Sequence, residues 1–447
     1  MRLESSATAE RPLDDHLLDA GLAIARASTG ITCIALPVSN VQTAAIIAAW
    51  RSAPMVAWHG DGQWIGVGIA REVRGTGADR FAQVIAGARA IEISQTVGHR
   101  TWVPKLFGGA SFAPGAADAA PWTGFGDAWF ALPRWTIGGG WLVLAVDARE
   151  AQSDGRWLDE LAAFRMAIAN GFAARPQPAM TKIDAGDTAG FKTYVAAITD
   201  AIARGECSKV VAARHAVVTL AGEARPADLF GELDARHPDT YARLLVRPPG
   251  GGTFVAATPE RLVRVDGDRV SCDGLAGTIA RGDGAEEMLL GSAKDRNEHR
   301  IVVDAITGAL GRFGEVTAPE VPGIKTLRHV LHLHTPITAK LREHHHVLEL
   351  VDVLHPTPAM GGTPPQVARE WILSREAPRG WYSAPVGWFD LEGNGEFAVA
   401  IRSGVIDGSH AYLYAGSGIV AGSDPERELA ETDVKLRPML GALGVSA

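Results

Sequence analysis

Short apolar runs separated by glycine-containing breaks dominate the chain as far as about residue 180. The runs GITCIALPV, APMVAWHG, WIGVGIARE and WLVLAVD have the length and the branched and aromatic content of β-strands. The stretch from Gly171 to Gly186, GFAARPQPAMTKIDAG, is broken by proline and glycine and therefore predicts a long surface link. This part of the chain is predicted to be rich in strands.

Beyond residue 188, helical and strand-like periods alternate. The segments AGFKTYVAAITDAIARGE and EEMLLGSAKDRNEHRIVVDAITGALGRF each predict a helix, whereas SKVVAARHAVVTL and GEFAVAIRSGVID predict strands. EGNG and IDGSH are typical hairpin turns. Strands joined by short turns, with helices interspersed, indicate an α+β fold with antiparallel sheets rather than a doubly wound parallel sheet.

Two predicted helices carry carboxylates at helical spacing. In GSDPERELAETDVKL, Glu428, Glu431 and Lys435 occupy positions i, i+3 and i+7 and so share a face. Asp295 and Glu298 lie three apart in SAKDRNEHR. Two such helices could enclose Mg²⁺, which prefers oxygen ligands. A solvated helix face with an ordinary Glu431–Lys435 ion pair explains the same spacing.

Composition narrows the class of protein. The chain has 447 residues, 47% hydrophobic and 21% charged, with a net charge of -8 and no run of Lys and Arg, so we expect no nucleic-acid partner. Its three cysteines are scattered, which is typical of a reducing compartment. The polar N-terminus predicts no signal peptide, and TAAIIAAW is too short to span a bilayer. We expect a cytoplasmic protein without a membrane partner.

Three charged residues stand inside apolar surroundings. Lys209 begins the run KVVAAR, and a buried lysine that loses its proton can act as a general base. Glu260 follows the proline of TPERL, and a buried glutamic acid can act as a general acid at neutral pH. Arg402 interrupts FAVAIRSG and could clamp a carboxylate. A lysine at a strand end, a glutamate paired with a nearby arginine and a paired core arginine are the alternatives.

Two groups of histidines and one glycine-rich stretch resemble metal-binding or nucleotide-binding motifs only in part. His344, His345 and His346 are adjacent and lack the spacing of a zinc-binding helix, so a solvated loop is the better interpretation. His329, His332 and His334 have strand-like spacing that divides them between two faces. YAGSGIVAG is not a nucleotide-binding loop, but its small residues could let backbone N–H groups approach a carboxylate.

An ordered series of motifs resembles the chorismate-utilising enzyme family, and within it the isochorismate synthases. The matching segments, all between Ser208 and Leu436, are SKVVAAR, ATPERL, LAGT, SAKDRNEH, LHLHTPI, LHPTPAMGG, GWFDLEGNGEFAVAIRS, YAGSGIVAGS and ERELAETDVKL. The resemblance implies one α+β domain over residues 1–447, with large antiparallel sheets packed as a sandwich and helices outside. Residues 1–180 would complete the sheets, and residues 188–447 would carry the motifs.

The resemblance also implies a role for individual residues. Glu298 and Glu431 would bind Mg²⁺, with Asp295 and Glu428 as supporting acids; the family more often has Glu at position 295. Lys209 would be the base that activates water, and Glu260 the acid that protonates the departing hydroxyl. The expected substrate-binding residues are Gly277, Thr278, His332, Ala359, Tyr382, Arg402, Gly416, Gly418 and Lys435.

Single positions separate the related activities. Members that add ammonia have Gln in place of Lys209, and aminodeoxychorismate synthases have Lys in place of Ala276. Salicylate synthases tend to have Thr in place of Ala359. The resemblance therefore implies a monomeric, Mg²⁺-dependent isochorismate synthase that serves menaquinone or siderophore synthesis. The alternatives are a salicylate synthase and a catalytically silent relative that binds a carboxylate.

Overall fold

A computed structural model describes residues 13–153, 155–328 and 330–445. The helices are α1 Asp15–Arg26, α2 Thr43–Ala49, α3 Arg80–Arg89, α4 Arg156–Asn170, α5 Thr188–Ala203, α6 Pro226–Arg236, α7 Ala285–Gly291, α8 Ala293–Leu310, α9 Val347–Leu354, α10 Pro365–Arg375 and α11 Pro425–Ala442. The strands are β1 Ile31–Pro37, β2 Met55–His59, β3 Gln63–Val67, β4 Arg71–Gly75, β5 Ile93–Val97, β6 Lys105–Ala110, β7 Ala128–Leu132, β8 Trp135–Gly138, β9 Trp141–Asp147, β10 Met180–Asp184, β11 Lys209–Leu220, β12 Ala242–Arg247, β13 Thr253–Thr258, β14 Arg261–Asp266, β15 Arg269–Ala280, β16 Gly314–Thr317, β17 Gly323–Thr326, β18 Val330–Leu341, β19 Gly362–Thr363, β20 Pro385–Asp390, β21 Gly395–Val399, β22 Ser403–Asp407 and β23 His410–Ile419.

The strands form two large sheets. The first sheet has 13 strands, in the order β10-β11-β23-β22-β13-β12-β2-β3-β8-β9-β1-β5, with β19 also paired to β11. The second has 10 strands, in the order β16-β18-β15-β14-β21-β20-β6-β7-β4, with β17 paired to β18. Neighbouring strands are antiparallel except for β1 and β5. Each sheet contains strands from before and after residue 180. In the first sheet β2 pairs with β12, and in the second β6 pairs with β20.

The two sheets pack face to face. A buried aromatic cluster between them joins Trp58 and Phe254 of the first sheet to Phe107 and Trp129 of the second. Helices α1, α2, α4, α6 and α11 cover the outer face of the first sheet, and α3, α8 and α9 pack on the second. The predicted α+β sandwich with outside helices is confirmed. In the described residues, no helix combines the length and the hydropathy that a bilayer crossing requires.

The chain passes between the two sheets at two short connections that matter for the site. Pro259 and Glu260 link β13 of the first sheet to β14 of the second. Residues 400–402 return the chain from β21 of the second sheet to β22 of the first. Each connection places an ionisable side chain, Glu260 or Arg402, where the chain crosses from one sheet to the other.

Several local predictions differ from the structure. The stretch from residue 286 to 313 forms two helices rather than one, because Ser292 is extended and its hydroxyl caps α8 by accepting from the Asp295 N–H. The predicted link from Gly171 to Gly186 contains β10, which pairs with β11. Arg402 lies between two strands, not within one.

The histidines also differ in part from the prediction. His344 is exposed, but His346 is buried and its Nδ1 accepts from the Leu348 N–H at the start of α9. A helix cap explains this burial better than a solvated loop does. His329 lies outside the described residues, whereas His332 and His334 both lie on β18.

Candidate active site

One cavity of about 260 Å³ collects every predicted site residue. Its walls come from β11, β15, β18, β23, α8, α11 and the two inter-sheet connections. The predicted residues on its wall are Lys209, Glu260, Gly277, Thr278, Asp295, Glu298, His332, Ala359, Tyr382, Arg402, Gly416, Gly418, Glu428, Glu431 and Lys435. Residues that are far apart in the sequence, such as Lys209 and Lys435, therefore face one space.

Lys209 is the first residue of β11 and is buried, with 1% of its side chain exposed. Its Nζ lies 2.6 Å from Oε1 of Glu298, which projects from α8. Gly418 of β23 makes this approach possible, because a Cβ there would lie 2.9 Å from that same oxygen and 3.0 Å from Lys209 Cε. The predicted base and a predicted metal ligand are thus an ion pair.

Glu260 is buried at the first inter-sheet connection. Burial, assisted by the negative charge of Asp273, raises the pKa of Glu260 to about 8, while Lys325, Lys209 and Arg402 oppose the rise. The carboxyl group consequently holds a proton at neutral pH. It can donate that proton to a leaving oxygen.

The acidic face of α11 points into the cavity. Lys435 Nζ lies 2.6 Å from Glu431 Oε1 and donates to the Gly416 carbonyl oxygen at 2.9 Å. The hydroxyl of Ser417 donates to Glu428, which is buried. Although burial opposes ionisation, Lys435, Ser417 and Arg402 hold the pKa of Glu431 below its ordinary value. This helix face is therefore a polar wall of the cavity, buried at Glu428 and partly exposed at Glu431 and Lys435.

His332 presents an acceptor to the cavity. Burial, helped by Arg402 and Lys435, lowers the pKa of His332 to about 3, so the ring is neutral. Its Nδ1 lies 2.9 Å from Thr278 Oγ1 and 3.3 Å from the Gly277 carbonyl oxygen, which fixes the proton on Nδ1 because a carbonyl only accepts. Nε2 is then an acceptor, and it is buried with no protein partner in the described part of the chain.

A glycine shapes the strand beside His332. Gly277 has φ +73° and interrupts the regular pairing of β15 with β18. A Cβ at Gly277 would lie 3.1 Å from the Asp295 Cβ, so a larger residue would push α8 away. This bulge brings Thr278 and Asp295 to the same cavity wall.

Arg402 is held in an uncommon backbone conformation. Its φ is +52°, in the left-handed region, where a residue other than glycine costs roughly 1–3 kcal/mol. Burial lowers the pKa of Arg402, opposed by Tyr382, Glu431 and Glu260. Tyr382 stacks on Tyr414 with ring centroids 5.4 Å apart, and burial raises the pKa of Tyr382 to about 12. The guanidinium of Arg402 and the neutral phenol of Tyr382 are therefore both hydrogen-bond donors in the cavity wall.

Sequence reasoning missed several wall residues, among them Lys294, Ser383 and Tyr414. Lys294 precedes Asp295 within a recognised motif, so its position was a usable signal. Ser383 has φ +63° and lies in the loop after α10, which no sequence period predicts. Tyr414 enters the wall because β23 alternates its side chains between two faces.

The donor set suits a hard cation that takes few protein ligands. Asp295, Glu298, Glu428 and Glu431 line the cavity from two helices. Within the described ranges, no three His, Cys, Asp or Glu residues are gathered as a metal-binding group. Mg²⁺ commonly uses one or two carboxylates and takes its other ligands from water and substrate. The residues present fit that mode and do not fit a closed protein cage.

The cavity combines a buried acid, a buried lysine and an arginine that can donate hydrogen bonds. This combination is typical of an enzyme that acts on a small anionic substrate. The family model described as chorismate binding enzyme matches residues 22–444. The chain belongs to this family, as its motifs predicted, and the isochorismate synthases among its relatives make it an enzyme of the isomerase type.

Two relatives support the assignment to this family, and a solved structure shares the fold. The chain is 37% identical over 424 residues to the salicylate biosynthesis isochorismate synthase of Pseudomonas aeruginosa, covering 89% of this chain and 87% of the relative. It is 36% identical to isochorismate synthase MenF of Bacillus subtilis, covering 77% and 76% of the two chains. The structure of MenF, the menaquinone-specific isochorismate synthase of Escherichia coli, shares the fold with a TM-score of 0.76 and 24% identity, covering 95% of this chain and 99% of that one.

Proposed function

We propose that this protein converts chorismate into isochorismate with Mg²⁺ as cofactor. The observation that carries the proposal is the meeting of buried Lys209 and buried Glu260 at one cavity, which also holds carboxylates from two helices. The similarity to isochorismate synthases over most of the chain supports the choice of substrate. A base and a protonated acid at one cavity are what a simultaneous water addition and hydroxyl loss require.

The formal charge of the cavity supports a divalent cation. Four carboxylates, Asp295, Glu298, Glu428 and Glu431, face four cationic side chains, Lys209, Lys294, Arg402 and Lys435, while Glu260 holds its proton. A dicarboxylate substrate such as chorismate would add two negative charges to this balanced site. One Mg²⁺ would offset them and would neutralise and fix a substrate carboxylate.

In the proposed reaction, Lys209 in its neutral form takes a proton from water as the water oxygen bonds to C2 of the ring. Glu260 gives its proton to the C4 hydroxyl, whose C–O bond breaks as the double bonds shift. Arg402 and Tyr382 would hold a substrate carboxylate, and His332 Nε2 would accept from a substrate hydroxyl. Orientation of both reacting groups in one cavity replaces the entropy cost of a bimolecular encounter.

Lys209 must leave its ion pair and release its proton before it can act as a base. Glu298 is 16% exposed and Lys209 1%, so the pair is shielded from water on the lysine side. Cation binding at Glu298 would compete with Lys209 for the same carboxylate oxygen, because both are attracted to its charge.

The decisive experiment incubates pure protein with chorismate, with Mg²⁺ or with EDTA, and separates the products by chromatography. Isochorismate alone, formed only with Mg²⁺, is the expected result. Salicylate with an equal amount of pyruvate would establish the salicylate synthase alternative, against which Ala359 in the cavity wall argues. Folded protein that yields no product under any condition would leave a silent carboxylate-binding relative.

A further inference from the structure

The peptide that carries Glu260 is anchored from outside the cavity. The Pro259 carbonyl oxygen accepts from Lys325 Nζ at 2.7 Å. Lys325 lies on β17, the short strand that pairs with β18, and its register partner is His332. Since Pro259 and Glu260 form the whole connection between β13 and β14, a contact to this carbonyl restrains the direction of the Glu260 side chain.

Lys325 is itself held by a second charged residue. Its Nζ lies 3.6 Å from Asp273 Oδ2 on β15, and Asp273 Oδ1 lies 3.1 Å from His334 Nε2 on β18. The side chain of Asp273 is 9% exposed and that of Lys325 is 20% exposed. Three neighbouring strands thus contribute one shielded polar chain that ends at the Glu260 connection. Neither Asp273 nor Lys325 lines the cavity.

The charges that face Glu260 come from four different elements. Asp273 on β15 and Lys325 on β17 act from behind the carboxyl group, with opposite effects on its ionisation. Lys209 on β11 and Arg402 at the second inter-sheet connection act from the cavity side, and both favour the carboxylate. His332 on β18 is neutral. Burial is the main reason that the carboxyl group stays protonated beside these cations, and the negative charge of Asp273 adds to it.

We propose that Asp273 and Lys325 are positioning residues: Lys325 holds the Glu260 connection through the Pro259 carbonyl oxygen, Asp273 holds Lys325, and the two residues bring opposite charges to the Glu260 carboxyl group. The proposal rests on the proposed function, because Glu260 is there the general acid. Burial keeps Glu260 protonated, Asp273 adds to that effect, and Lys325 fixes the peptide while opposing it. Two residues outside the reaction cavity therefore shift the pH range in which the acid works.

The test is the pH profile of kcat/KM for chorismate in the full-length protein with saturating Mg²⁺. For the wild type, kcat/KM falls at alkaline pH as Glu260 loses its proton, and this fall is the alkaline limb of the profile. Asp273→Asn removes the negative charge and moves this limb by about one pH unit to lower pH. Lys325→Met removes the positive charge and moves it to higher pH, with a lower kcat from the loosened peptide. Lys325→Arg keeps the charge and keeps the limb near its wild-type position.

A matched pair on the same strands serves as control. Lys340 on β18 and Asp268, just before β15, lie 4.0 Å apart and are well exposed. Lys340→Met and Asp268→Asn should leave the profile unchanged. Thermal unfolding of every variant identifies those that fold, and if Asp273→Asn does not fold, the two Lys325 variants decide.

Opposite movements of the alkaline limb support the proposal, because a purely structural role lowers activity without moving the limb in opposite directions. The proposal would be overturned if the alkaline limb of both Asp273→Asn and Lys325→Met stayed at its wild-type pH, whether their activity matched that of the controls or was lower. Those results leave the proposed function intact. If wild type gave no Mg²⁺-dependent isochorismate, the failure would be that of the proposed function.

Discussion

Lys209 Nζ and Glu298 Oε1 lie 2.6 Å apart, so the proposed base is ion-paired with a proposed metal ligand. The two residues come from β11 and α8, which are 89 positions apart at this contact. In the proposed mechanism the pair joins two roles that the motifs keep separate. Competition between the lysine and a cation for one carboxylate can be measured without following turnover.

Replacing Lys209 with alanine is expected to reduce turnover by at least about 100-fold, because the general base is lost. It also leaves Glu298 without its cation, so Mg²⁺ should raise the melting temperature of Lys209→Ala more than that of wild type. Thermal unfolding with and without Mg²⁺ measures the second effect. Equal Mg²⁺ shifts in the two proteins would contradict the idea that Lys209 and the metal compete.

Glu260→Gln should stabilise the protein increasingly as pH rises. The pKa of Glu260 is about 8 in the fold against 4.5 ordinarily, so the folded form keeps a proton that the unfolded chain releases between these values. Wild-type stability therefore carries a contribution that is complete below pH 4.5 and is lost by about 1.4 kcal/mol per pH unit up to pH 8. Glutamine cannot ionise, so the variant lacks this slope.

The free energy of unfolding of Glu260→Gln and wild type, measured by urea denaturation at several pH values, checks this prediction. The difference between the two proteins should grow in favour of the variant from pH 4.5 to pH 8. A difference that stays constant with pH would show that Glu260 is not protonated in the fold. Turnover of the variant should be strongly reduced at every pH, since the proton donor is absent.

Glu431→Gln should weaken Mg²⁺ binding in the presence of substrate by at least about tenfold, because a charged oxygen ligand is replaced by a neutral one. Isothermal titration with Mg²⁺ and a non-reacting chorismate analogue gives the affinity. Glu426→Gln is the matched control on the same helix, since Glu426 is 71% exposed and pairs with Lys192. Comparable affinities in the two variants would remove Glu431 from the metal site.

Arg379→Met should destabilise the fold by about 3–5 kcal/mol, because it leaves a buried carboxylate without its cation. Arg379 and Glu376 are 2% and 4% exposed, with Nε and Oε2 2.7 Å apart. Arg379 also donates to the Val211 carbonyl oxygen at 2.7 Å and the Met360 carbonyl oxygen at 3.0 Å, and both residues line the cavity. The KM for chorismate should therefore rise as well.

Urea denaturation of Arg379→Met measures the loss of stability. Arg204→Met is a suitable control, because Arg204 pairs with Glu206 on the surface, where both side chains are largely exposed. Surface pairs contribute little, so the control should unfold like the wild type. If both variants lost the same stability, the buried pair would have no special structural role.

The sequence predicted the helical face of α11 correctly because helical period is a local property. Glu428, Glu431 and Lys435 share a face by their spacing alone, and β11 and β23 are visible as apolar runs. The ordered motifs also predicted the family and the α+β sandwich. Local spacing alone favoured a solvated surface for α11 over a metal site, however, because carboxylates at this spacing are common on surface helices.

Tertiary structure decided the properties that depend on distant neighbours. The burial that keeps Glu260 protonated arises where two sheets meet, and the φ of Arg402 is set by a chain that changes sheets. The break at Ser292 and the pairing of β10 were also beyond the local pattern, because a cap and a distant strand decide them. The sequence by itself determined which residue types were present and how they were spaced along each element. Only the packing of the sheets and helices brought Lys209 to Glu298 and Lys325 to the Glu260 connection, because those contacts join segments that have no local relation in the chain.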